Sequence, residues 1–302
     1  MEKILLAAPR GFCAGVQYAI EVVDLALKVH GSPLYVRHAI VHNEYVVRSF
    51  ESRGVIFVED INEIPEGSNV IFSAHGVSPA VREQAKLRNL HVIDATCPLV
   101  TKVHREAVRY ARDGYTILYI GHRGHVEAEG TMGEAPNKML LIDNLDEAEK
   151  VQPPDTPLAV LTQTTLSVDE VERIMDVLKR RFPQLEVPAK EDICYATTNR
   201  QNAVKALAKQ SDLILVVGSK TSSNSNRLRE VAEAEGVPAY LLMSEDEVKP
   251  EWKVEYPVIG ITSGASTPEK LVEKVPVEVV TTVEEDVTFI PPRDLIKQAS
   301  LK

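Results

Sequence analysis

The chain has 302 residues, 44% of them hydrophobic and 5% aromatic, and its 34 Lys and Arg against 44 Asp and Glu leave a net charge of −10. This is an ordinary globular composition, which excludes collagen, coiled coil and bulk disorder, and the acidic balance argues against a broad nucleic-acid or anionic-membrane surface. No apolar run approaches the roughly 18 residues that span a bilayer, and Ile4 to Pro9 is too short for a signal-peptide core, so a cytoplasmic protein with no nucleic-acid or membrane partner is expected.

In chain order, KILLAAP predicts a strand that leads through Cys13 into a helix with Val16, Ile20, Val23 and Leu27 on one face. LYVRHAIVHNEYVV is an apolar run ending in a polar loop at His42. NVIFSAHGVSPAVREQA reads as strand, polar loop and helix, with Ser78 as a cap ahead of Pro79 at the first helical position. LHVIDATC brings a strand to Cys97, and the helix after it repeats the apolar face with Val100, Val103, Ala107 and Tyr110. YTILYIGHRGHVEAEGTMG and PLAVLTQTTLSVDEVERIM are again runs ending in polar loops, the second with Ser167 and Glu170 as a capping box. KEDIC is a short strand-like segment before Cys194 and another helix. DLILVVGSKTSSNSNRL and PVIGITSGASTPEKLVEKV close the series, the last with Thr267 as a cap ahead of Pro268, and residues 284–302 read as an irregular tail.

The same features recur at intervals of roughly 80 to 100 residues: cysteines at 13, 97 and 194, polar loops at 42, 125 and 222, and polar loops at 75, 164 and 266. Short apolar runs alternating with amphipathic helices indicate parallel strands joined by right-handed crossovers. The expected fold is therefore α/β, with three similar domains: 14–97 (together with the N-terminal strand and first cysteine loop, 1–13), 98–193 and 194–283, followed by the tail 284–302. Ligands in such sheets sit beyond the carboxyl ends of the strands, where all of these loops fall. If the three domains face one another, their loops line one central cavity at which Cys13, Cys97 and Cys194 meet.

An odd number of cysteines in a chain without an export signal argues against a disulfide framework. Each precedes a helix, whose N-terminus favours the thiolate that metals require. Three thiolates are too few for a closed zinc site without a further Cys or His, whereas an iron–sulfur cube held by three cysteines leaves one iron open to a substrate. An open cluster, zinc and plain burial all stay open on the residues alone. His42, His75 and His125, with Thr164, Ser222, Ser223, Asn224 and Ser266, supply short hydrogen-bond donors at helix starts, a set that suits a phosphate or diphosphate. Taken singly, each also fits a solvated loop or a cap. GSKT at 218–221 ends like a nucleotide-binding loop, but Leu213 stands where that loop needs glycine. Glu127, two residues after His125, would have its pKa raised in a closed cavity beside an anion and could then give up a proton; otherwise it is a surface glutamate.

Nine segments together carry a family resemblance: GFCAGV, HAIVHN, SAHGVS, DATCPLV, GHRGHVEAEGTMG, QTTLSVD, DICYATTNRQ, GSKTSSNSNRL and TSGASTP, in order from residue 11 to about 268. With them the chain resembles the 4-hydroxy-3-methylbut-2-enyl diphosphate reductases, the last enzymes of the methylerythritol phosphate route to isoprenoids. The resemblance implies a pseudo-threefold trefoil of α/β domains around one [4Fe-4S] cluster held by Cys13, Cys97 and Cys194. It implies a diphosphate grip made by His42, His75, His125, Ser222, Ser223, Asn224 and Ser266, proton delivery by Glu127 with Thr164 nearby, and Thr197 in the substrate cavity. The implied reaction is reductive dehydroxylation to isopentenyl and dimethylallyl diphosphate, with ferredoxin or flavodoxin as the one-electron donor. A non-redox iron–sulfur hydratase and a diphosphate-binding iron–sulfur sensor are the alternatives.

Overall fold

The structure, a computed structural model, describes residues 3–272 and 278–302. β1 (Lys3–Ala8), α1 (Ala14–His30), β2 (Leu34–Arg37), α2 (Glu44–Glu51), β3 (Val55–Val58), β4 (Asn69–Phe72), α3 (Pro79–Leu87) and β5 (His91–Asp94) come first. Next are α4 (Pro98–Arg112), β6 (Thr116–Ile120), α5 (Val126–Met132), β7 (Met139–Ile142), α6 (Leu145–Lys150), β8 (Leu158–Thr162) and α7 (Val168–Arg181). The last third holds α8 (Tyr195–Ala208), β9 (Leu213–Val217), α9 (Ser223–Ala234), β10 (Ala239–Leu242), α10 (Trp252–Glu255), β11 (Val258–Ser263), β12 (Glu278–Thr281) and α11 (Arg293–Ser300). The strands form three all-parallel sheets, so the α/β class read from the alternation of runs and helices is the class observed. The described residues divide into two compact units, Met1–Val16, His42–Val46 and Cys194–Thr288 in one, and Gln17–Val41, Val47–Ile193 and Phe289–Lys302 in the other.

The first unit is built on a five-stranded sheet of order β10-β9-β11-β1-β12. β1 therefore lies inside a sheet of C-terminal strands, with Ile4 opposite Ile259 and Leu6 opposite Val279, and not with the strands of residues 14–97. Its buried Leu5, Leu6 and Ala7 suit an interior slot covered on both faces, but an apolar run carries no record of which distant backbone it will pair with. α8 and α9 cover one face through Val204, Leu207, Leu228 and Val231, packed on Leu5, Ile214 and Val216. After β11 the expected cap fails. The Thr267 hydroxyl donates to Val217 O (3.0 Å), and only a single 3-10 turn, Glu269–Leu271, follows before the expected helix runs outside the described residues.

The second unit contains two sheets, ordered β3-β2-β4-β5 and β7-β6-β8. α4 buries the stripe Val100, Val103, Ala107 and Tyr110, as its period predicts, against Ile117, Tyr119, Ala159 and Leu161. It stops in a Schellman motif: Tyr115 N–H donates to Tyr110 O (2.9 Å) and Gly114 N–H to Ala111 O (3.3 Å), with Gly114 at φ +89°. The most buried line of α1 runs through Ala19, Val22, Val23, Ala26 and Val29, so the predicted face is only partly covered and the small alanines take the close contacts. Ser167 Oγ accepts from Glu170 N–H (3.3 Å) and starts α7, while Ser78 makes no side-chain cap bond and Pro79 alone begins α3. KEDIC is not a strand. Its Asp192 carboxylate turns inward to accept from Thr162 N–H (2.9 Å) and Lys102 Nζ (2.7 Å). The tail is not wholly irregular either, because α11 buries Leu295 and Ala299. No helix among the described residues is long and apolar enough to cross a membrane.

Candidate active site

Within the second unit the loops after β4, β5, β6 and β8 carry His75, Cys97, His125 and Thr164, all beyond the carboxyl ends of parallel strands. His125 is the cap of α5, its Nδ1 accepting from Glu127 N–H (3.2 Å), and this places Glu127 in the first turn facing inward, 3% exposed. Thr164 closes on the carboxyl group from the other side. Its N–H donates to Oε1 (2.7 Å) and its hydroxyl to Oε2 (2.9 Å). Burial pushes the Glu127 pKa up to about 7, against the opposing pull of the two Thr164 donors and of His104. The ring of His75 meets that of His125 edge-on with centroids 6.1 Å apart, and Ser73 Oγ lies 3.2 Å from His75 Nδ1. Cys97 is tied to the same loop, its N–H donating to Ala74 O (3.0 Å), and caps α4. Four predicted residues, His75, His125, Glu127 and Thr164, are thus joined in one cluster, with Cys97 anchored beside it.

Within the first unit Ser266 Oγ donates to His42 O (3.0 Å) and stands 3.5 Å from Ser222 Oγ. Ser222 caps α9 by accepting from Ser225 N–H (3.2 Å), and the half-buried Ser223 is the first residue of that helix. Asn224 Oδ1 accepts from Ala265 N–H (2.9 Å), which leaves its amide Nδ2 buried and without a hydrogen-bond partner among the described residues. An orphaned buried donor beside a helix N-terminus is the feature that a phosphate oxygen would satisfy. Cys13, just before α1, is held by its N–H to Ala265 O (3.1 Å). Cys194 caps α8, with its Sγ 3.2 Å from Thr197 Oγ1, and Thr197 is buried.

No cysteine is in a disulfide, and all three are partly accessible at the N-terminal end of a helix, where the dipole stabilises a thiolate. That donor chemistry fits an iron–sulfur cluster with three thiolate ligands. Among the described residues, no three His, Cys, Asp or Glu side chains gather as a metal site. Sequence reasoning passed over two neighbours of these groups. Arg200 was hidden in the motif DICYATTNRQ, where an arginine looks solvent-facing, and His104, buried with Nδ1 2.8 Å from Glu134 Oε1, sits on the apolar face of α4 where only period-breaking polarity signals it.

Parallel sheets with polar loops at their carboxyl ends, one loop set enclosing a proton-bearing carboxyl group and another a helix-capped anion cradle, define an α/β enzyme that handles a small anion. The profile of the LytB protein family matches residues 4–280, and the chain belongs to that family. It is 50% identical over 307 residues to the 4-hydroxy-3-methylbut-2-enyl diphosphate reductase of Actinobacillus succinogenes, covering 97% of this chain and 98% of that protein. It is 54% identical over 306 residues to the enzyme of the same name from Nocardia farcinica, covering 97% and 91%. Among solved structures, the E-1-hydroxy-2-methyl-but-2-enyl-4-diphosphate reductase from Plasmodium falciparum superimposes with a TM-score of 0.96 at 40% identity, covering 100% of this chain and 99% of that one.

Proposed function

We propose that the chain is a cytoplasmic reductase that removes the hydroxyl group of (E)-4-hydroxy-3-methylbut-2-enyl diphosphate, giving isopentenyl and dimethylallyl diphosphate and water at the end of the methylerythritol phosphate route. The names of its relatives support the substrate, and one observation carries the chemistry: Glu127, a buried carboxyl group whose pKa stands at about 7, is oriented by both donors of Thr164. The reaction takes up two electrons and two protons. A [4Fe-4S] cluster on Cys13, Cys97 and Cys194 supplies, when bound, one-electron transfer and an open Lewis-acidic iron. The protein supplies the proton and the grip. Glu127 holds a proton at its carboxyl oxygen within a water-excluding wall and releases it to the departing hydroxyl, and Thr164 fixes the direction of that transfer.

His42, Ser222, Ser223, Asn224 and Ser266 bind the diphosphate, with the unpaired Asn224 amide donating to a phosphate oxygen, and His75 and His125 complete the grip. Thr197 lies along the allylic carbon chain. Because electrons arrive singly, the partner is a one-electron carrier such as ferredoxin or flavodoxin. Residues 14–97 (with 1–13), 98–193 and 194–283 act as three domains, with Cys13 and Cys97 at the two ends of the first and Cys194 at the start of the third. Anaerobic incubation of the iron-loaded chain with substrate and a low-potential reductant, followed by product analysis, tests the reading. Both product diphosphates should form in strict dependence on reductant. Conversion without reductant would make the chain a hydratase, and binding without conversion would make it a sensor.

A further inference from the structure

Arg200 has no part in the reaction as proposed, yet among the described residues it is the largest of the fully enclosed side chains, 1% exposed. Its Nη1 donates to Ala196 O (3.1 Å), one helical turn back, and to both oxygens of Glu285 (3.0 and 3.1 Å). Its Nη2 donates to Gly11 O (2.9 Å) and Arg10 O (3.4 Å). Glu285 also accepts from Asn199 Nδ2 (3.1 Å). One guanidinium therefore joins three segments of the first unit: the turn that carries Cys13, the helix capped by Cys194, and the chain after β12. The far side of the turn is held as well, through Gly11 N–H to Ser263 Oγ (2.9 Å), Cys13 N–H to Ala265 O (3.1 Å) and the ion pair of Arg10 with Glu269. A planar fork with donors in two directions fits a carboxylate and a pair of carbonyls together, which a lysine ammonium cannot do.

We propose that Arg200 and Glu285 are positioning residues for the two thiols, a buried clamp that fixes the turn of Cys13 against the helix of Cys194 at the separation an iron–sulfur cluster requires. The inference rests on the cluster reading above. Groups one shell beyond a metal ligand typically contribute on the order of 10-fold to 100-fold in affinity by orienting it.

Two measurements on the full chain test the clamp, with Arg200→Lys and Glu285→Gln as variants and Glu278→Gln as a control. Glu278 pairs with Lys3 (2.7 Å) at the sheet edge, close in sequence to Glu285 but with no bond to the cysteine turn. In the iron-free chain, iodoacetamide labelling read by peptide mass should rise several-fold at Cys13 relative to Cys97 in both variants and stay at the parent level in the control. In the reconstituted holoenzyme, iron release to a chelator should quicken on the order of tenfold in both variants. Parent-like labelling and release in both variants would overturn the clamp, and so would an equal rise in Glu278→Gln, which would mark general loosening of the tail. A parent chain that takes up no iron or sulfide would refute the cluster reading, and Cys13 labelling would still decide the clamp.

Discussion

Glu127 holds its proton until pH approaches neutrality because full enclosure outweighs the donors around it. Both Thr164 bonds and His104 favour the anion, and burial still lifts the pKa to about 7 from an ordinary value of 4.5. Between those values the folded chain binds the proton more tightly than the unfolded chain. The stability from this group is therefore complete below about pH 4.5 and is lost as pH rises to about 7, a fall of about 3 kcal/mol. Urea denaturation at pH 5 and pH 8 should show most of that fall, about 2.5 kcal/mol, in the parent and not in Glu127→Gln; an equal fall in both would assign it to another group. The same variant should keep substrate binding while kcat drops by roughly 10²–10⁴, with the parent rate declining above about pH 7 as the acid is lost.

At the scale of elements, α5 is the helix that aims Glu127, and Gly133 at its C-terminal cap sets how close it lies to the loop after β4. A Cβ at Gly133 would come within 2.3 Å of Ser78 Cβ and 3.3 Å of Ser78 Cα, so Gly133→Ala should destabilise by about 1–3 kcal/mol and lower turnover as the helix shifts. A Cβ at Gly130 would meet Gly76 and His104 only at 3.5 Å, an ordinary contact. Gly130→Ala should therefore be neutral or stabilising by up to about 1 kcal/mol, because alanine is the better residue inside a helix. Denaturant midpoints of the two variants check the contrast, and equal losses would contradict it. Ser167→Ala, which removes the cap bond of α7, should cost about 1 kcal/mol by the same assay.

At the scale of the molecule, β1 couples the two ends of the chain through one sheet. Deleting residues 1–8 removes an interior strand with buried Leu5, Leu6 and Ala7, and should abolish cooperative folding of the first unit. Deleting residues 293–302 removes α11, with Leu295 and Ala299 from the core of the second unit, and should leave the first unit's amide-exchange protection in place. The anaerobically purified parent should carry about four iron and four sulfide per chain. Cys97→Ser should lose most of both, and stoichiometric zinc without sulfide would refute the cluster assignment.

Local pattern alone determined the α/β class, the strands β1, β2, β4, β5, β6, β8, β9 and β11, the buried stripe of α4 and the cap at Ser167, because side-chain period and capping chemistry act over a few residues. The same motifs named His75, His125, Glu127 and Thr164, which the fold then brought into one cluster. β3, β7, β10 and β12 went unread: like β2, β4 and β5 they hold only four residues, but no cysteine or candidate polar loop follows them to mark the run as a strand. Only the tertiary structure decided that β1 joins the C-terminal strands, that Thr267 bonds to Val217 O in place of capping a helix, that Arg200 meets Glu285 85 residues away, and that Glu127 keeps its proton. Backbone pairing, desolvation and buried ion pairs depend on which distant groups are packed together, and no window of sequence holds that information.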